Sequence, residues 1–98
     1  MVVGVCRVEI SLPGSLGVKD KRARLKPIIQ MLQREYNLAA SEVGDPDEAE
    51  LTAIGFAAVG NDRRVINSLL DKVVGRFDEV GEVVVLRHDI EITNYGNG

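Results

Sequence analysis

The sequence predicts an α+β fold, one antiparallel sheet with two helices on a single face, from three observations. Residues 2–12, 51–59 and 82–92 hold apolar residues in the run lengths and alternation of β-strands. Between them, stretches from about residue 18 and residue 62 repeat apolar residues every three to four positions, as helices do. A short apolar run at 38–43 supplies one more strand, so the order is βαββαβ. Two right-handed βαβ units interleaved this way give a four-stranded sheet in the order 4-1-3-2. That architecture is the ferredoxin-like plait.

The first strand, Val2 to Leu12, should face the core with Gly4, Cys6, Val8, Ile10 and Leu12. Val3, Val5, Arg7, Glu9 and Ser11 take the other side. Pro13-Gly14 ends it, because proline has no N–H for the ladder. The first helix is expected from Val18, with Gly17 as N-cap and Asp20 near the free amides. Val18, Leu25, Ile28, Ile29, Leu32 and Tyr36 form its apolar stripe. Lys21 falls in the same stripe, so it must snorkel or find an acceptor. Asp20 is not that acceptor, since adjacent helical residues diverge. Pro27 lies away from the stripe, where the carbonyl it frees can be hydrated; one bent helix is expected. Asn37 then terminates it.

Leu38 to Val43 reads as the second strand and Gly44 to Glu50 as a loop with four carboxylates. In the third strand, Leu51 to Val59, Ile54 and Phe56 are assigned to the core. Gly55 and three alanines there are expected to admit a closely packed helix. Asn61 should cap the second helix, Asp62 to about Phe77, whose broad apolar face is Val65, Ile66, Leu69, Leu70, Val73, Val74 and Phe77. In the last strand, Glu82 to Ile92, the alternation sends Val84, Leu86, His88, Ile90 and Ile92 towards the helices. Val83, Val85, Arg87, Asp89 and Glu91 then point away. Residues 94–98 are expected to fray.

At 98 residues the chain is read as one domain, residues 1–98, with a single core. Its net charge of −3 means that any attraction to nucleic acid or an anionic membrane must be local. Aromatics are 4%, without Trp, which removes the usual base-stacking platforms. The single cysteine, Cys6, excludes an internal disulfide and suits a reducing compartment. No apolar stretch approaches the roughly 20 residues of a membrane span. A cytoplasmic protein without metal or cofactor is expected.

The segments Val18-Lys-Asp-Lys-Arg22, Asn37-Leu-Ala-Ala-Ser-Glu-Val43 and Gly60-Asn-Asp-Arg-Arg64 carry a resemblance. Their order and spacing resemble the bacterial YlxP-like family of unknown function, from about residue 2 to residue 92. The resemblance implies the same plait and no established activity. Genes of that family often lie beside those for a translation initiation factor and ribosome-binding factor A, which implies a link to the ribosome. Its members usually carry Ser-Leu where this chain has Gly17-Val18, so a side-chain cap is replaced by a bare one.

Two surfaces emerge as candidate sites. The first is an anion site at the start of the first helix: Gly17, Lys19, Lys21, Arg22 and Lys26, suited to RNA phosphate. The competing reading is a solvated face partly neutralised by Glu42, Asp45, Asp47, Glu48 and Glu50. The second is the sheet face away from the helices, where Val3, Val5, Val83 and Val85 would form an apolar patch covered by another copy or a partner. His88 and Cys6 read as structural. The leading expectation is a non-enzymatic binding module with RNA or a ribosomal subunit as partner. A dimeric small-molecule-sensing module is the alternative. An acylphosphatase-like hydrolase comes third, because its catalytic asparagine would have to be Asn61, placed at the wrong end of the sheet.

Overall fold

The computed structural model describes residues 1–96. Along the chain run β1 (Val2–Ser11), α1 (Val18–Glu35), β2 (Ala39–Glu42), β3 (Leu51–Gly60), α2 (Arg63–Phe77) and β4 (Val84–Asn94). The sheet order is β2-β3-β1-β4, and every neighbouring pair is antiparallel. Both helices pack on one face, α1 nearest β2 and α2 nearest β1 and β4. The core lies between that face and the helices. Val8, Ile10, Leu12, Leu32, Ile54, Leu70, Val73 and Phe77 are fully buried in it, and Phe56 stacks on Phe77 with ring centroids 6.2 Å apart.

Pro27 lies inside a single continuous α1, as its position away from the apolar stripe requires. Asn37 follows in the left-handed region at φ 54°, and the N–H of Leu38 donates to the Leu32 carbonyl at 3.2 Å. The cap of α2 is Asp62, not Asn61. Its extended backbone lets Oδ1 accept the N–H of Arg64 at 2.9 Å. The close approach of helix to sheet occurs at Gly4, where a Cβ would stand 2.4 Å from Ile66 Cγ2. Gly55 does not serve that purpose. It lies on the other face, with Val43 packed over it.

The largest departure is in β4. Its register against β1 runs from Val2↔Asn94 to Glu9↔Arg87, then jumps to Ile10↔Val85 and Ser11↔Val84. Leu86 is the extra residue of a β-bulge. One additional residue inverts the faces of everything before it. Val83 and Val85 therefore turn inward against the core, while Val84 and Leu86 are exposed at 49% and 55%. The assignment of Val83 and Val85 to the open face is corrected on that ground. Val5 is on that face as expected, 42% exposed, and Val3 beside it is half-buried.

The chain end is also better anchored than expected. β4 continues through Asn94, and the N–H of Tyr95 donates to the Met1 carbonyl at 2.7 Å. The ladder extends to Asn94, opposite Val2. Residues 97–98, the remainder of that expectation, lie outside the described residues. No helix among the described residues is long and apolar enough to cross a membrane.

Candidate nucleic-acid interface

The turn from β1 into α1 is set by two glycines. Gly14 has φ 77° and Gly17 φ 134°, conformations that a side chain at either position would strain. Gly17 is the N-cap and contributes no side-chain bond. Asp20 reaches back instead, accepting the N–H of Leu16 at 3.0 Å, and the Ser15 hydroxyl donates to the Gly17 carbonyl at 3.2 Å. An acidic side chain already sits beside this helix end. The bare cap is therefore less open to an incoming anion than its glycines suggest.

The five basic residues that follow separate into three groups. Lys21 is fully buried, with its ammonium 3.0 Å from Glu42 Oε2 and donating to the Asp45 carbonyl at 2.9 Å. The same Glu42 oxygen accepts the Thr52 hydroxyl. Glu42 stands opposite Ile54 on β3 and so faces the helices, directly beneath α1. Lys21 thus pins α1 to β2 and to the start of the 44–50 loop. It has no free donor direction towards solvent and is corrected out of the anion site. Arg24 is committed too: it donates to the carbonyls of Pro13 and Glu82 at 3.2 and 2.6 Å.

Lys19, Arg22 and Lys26 are different. All three are exposed, and their spacing of three and four residues sets them on one flank of α1 over about 10 Å of helix. Among the described residues, none of them has a carboxylate within 4.0 Å, whereas Arg7, Lys21, Arg24, Arg76 and Arg87 all do. None of the five acids expected to neutralise the flank lies within 4.0 Å of its three cations. Glu42 holds Lys21, Asp45 accepts the N–H of Asp47, and Glu48 accepts the N–H of Glu50. A shallow groove of about 210 Å³ runs beside the flank, lined by Arg22, Leu25, Lys26, Ile29, Gln30 and Glu42.

The remaining candidates fall away from this flank. Val2 pairs with Gly60 and Ser11 with Leu51, so Asn61 and the start of α1 lie at opposite ends of β1. At 3.3 Å per residue they are separated by about 30 Å, beyond the reach of one phosphate site. His88 pairs with Val8 on the helix side of the edge strand and is exposed. Burial, followed by the nearby charges of Asp89 and Asp71, pushes the Cys6 thiol from its ordinary 9.0 up to about 11. That thiol is a poor nucleophile.

The residues therefore define a small ferredoxin-like plait that leaves three unpaired cations along one helix flank. The chain belongs to DUF503, a family of proteins of unknown function, whose family model matches residues 3–90. It is similar to the uncharacterized protein YlxP of Bacillus subtilis (strain 168), with 30% identity over 82 residues that cover 84% of this chain and 89% of the relative. Among solved structures it is similar to the de novo designed protein Foldit4, with a TM-score of 0.55 and 13% identity over 98% of this chain and all of that one. It is also similar to the de novo designed protein LFR1 1 with ferredoxin fold, with a TM-score of 0.54 and 14% identity over 100% and 91% of the two chains. Both likenesses concern the fold alone.

Proposed function

We propose that this chain is a non-enzymatic binding module whose α1 flank, Lys19, Arg22 and Lys26, holds RNA phosphates in a ribosome-associated accessory role. One observation carries the reading: these three cations are left unpaired while the buried or braced cations around them are all matched. In a protein of net charge −3, three unpaired cations within about 10 Å along one helix flank make a local surface for a polyanion. Phe56 is buried, Phe77 is buried against it, and the open face presents no aromatic ring on its central strands. Binding therefore acts through the backbone of the RNA, with little preference among bases. The resemblance to the YlxP-like family, through its gene neighbours, directs the test to ribosomal subunits. Co-sedimentation with separated subunits, at low and moderate salt, is expected to retain the protein at low salt. Replacing Lys19, Arg22 and Lys26 together by Glu should abolish retention. Equal retention of that variant overturns the reading.

A further inference from the structure

We infer that the open sheet face is the interface of a two-fold symmetric homodimer, keyed by a square of alternating charges on β1 and β4. Arg7 stands opposite Asp89 and Glu9 opposite Arg87 across the two strands. Along each strand the signs alternate again. Arg7 pairs with Glu9, Arg87 with Asp89 at 3.0 Å, and Arg87 with Glu9 at 3.5 Å. A square of this kind is its own complement. Rotation by 180° about an axis in the plane of the sheet, crossing the strands through the centre of the square, sets Arg7 of one copy over Glu9 of the other. The same rotation sets Arg87 over Asp89. Each of the four charges of the square is already paired within its own chain, so closing the interface strands none of the four.

The same axis fits the apolar residues on either side. Taking β3 through the same rotation brings Leu51 of one copy over Ala57 of the other, a large side chain over a small one. The bulge turns Leu86 outward at the Leu51 end, and Val5 lies at the Ala57 end. These residues and Val59 and Val84 account for much of the large apolar surface the chain exposes. Four strands about 4.8 Å apart and up to eleven residues long offer about 500–600 Å² per copy. The total, about 1,100 Å², sits at the lower edge of stable specific interfaces, so a reversible dimer is expected.

Sedimentation velocity of the full chain at rising concentration tests the inference, with a charge-inverted variant carrying Arg7→Glu, Glu9→Arg, Arg87→Glu and Asp89→Arg. Inversion preserves the alternation, so both proteins are expected to dimerise alone. Mixed, they should form no heterodimer, because like charges would then face each other. Leu51→Glu, with its fold checked by circular dichroism, should be monomeric. A wild type that stays monomeric to several hundred micromolar overturns the inference, as does statistical mixing of the two proteins. Neither outcome bears on RNA binding by α1, which lies on the opposite face.

Discussion

Lys21 Nζ lies 3.0 Å from Glu42 Oε2, with the lysine wholly buried and the glutamate side chain 17% exposed. The Asp45 carbonyl and the Thr52 hydroxyl complete the group, so each charge keeps hydrogen-bond partners in a nearly dry setting. Three segments, α1, β2 with the loop that follows it, and the start of β3, are tied at one point.

Removing one partner of such a pair is expected to cost roughly 3 kcal/mol, because the other is left desolvated and unmatched. Lys21→Met should lose about that much in urea denaturation. Lys21→Met combined with Glu42→Gln should recover a substantial part. A double variant no better than the sum of its parts contradicts the pairing.

Gly4 and Gly75 make opposite predictions for the same substitution. At Gly4 a Cβ would stand 2.4 Å from Ile66 Cγ2 and 2.8 Å from Leu70 Cδ1, so Gly4→Ala should destabilise by about 1–3 kcal/mol. At Gly75, inside α2, nothing lies within 4 Å, and Gly75→Ala should stabilise by about 0.5–1 kcal/mol. Thermal melts of the two variants check both signs.

Burial holds the Cys6 thiol at about 11 against an ordinary 9.0. The folded chain therefore keeps its proton after the unfolded chain has lost it. The resulting stability is complete below pH 9 and disappears as pH rises from 9 to 11. The size is on the order of 2 kcal/mol. Cys6→Ala should flatten this part of the stability–pH curve relative to wild type, and at pH 8 native Cys6 should react with a thiol reagent far more slowly than free cysteine. Identical slopes for wild type and variant contradict the buried, protonated thiol.

The bulge gives a test between neighbouring residues. Val85 is packed against the core and Leu86 projects from the open face, so in the dilute monomer Val85→Asp should cost roughly 2 kcal/mol or more, while Leu86→Asp stays within about 0.5 kcal/mol. The straight alternation of the sequence makes the reverse assignment, and chemical denaturation of the pair decides between them.

That reversal shows where the residues stop speaking. Element order, strand order, the bare Gly17 cap and the continuous α1 through Pro27 all follow from local pattern. Val83-Val84-Val85-Leu86 is apolar throughout, so period two has no phase there and an inserted residue leaves no mark on composition. Asn61 and Asp62 are both good caps, and only the backbone angles choose between them. The sequence also showed that Lys21 required an acceptor. That the acceptor is Glu42 depends on which face β2 turns to α1, a fact of three dimensions. The three unpaired cations were legible as basic residues on one flank; their freedom from the nearby acids was not.

The separation of a structural Lys21 from the unpaired flank of Lys19, Arg22 and Lys26 is tested most directly by measuring melting temperature and RNA affinity on the same variants. Fluorescence titration with a single-stranded RNA oligonucleotide supplies the affinity at several salt concentrations. Replacing Lys19, Arg22 and Lys26 by Glu should leave the melting temperature within a few degrees and remove binding; the wild-type slope of log affinity against log salt should be about −2. Lys21→Met should lower the melting temperature and leave affinity below the melt unchanged. Undiminished binding and an unchanged salt slope in the triple variant would contradict the account.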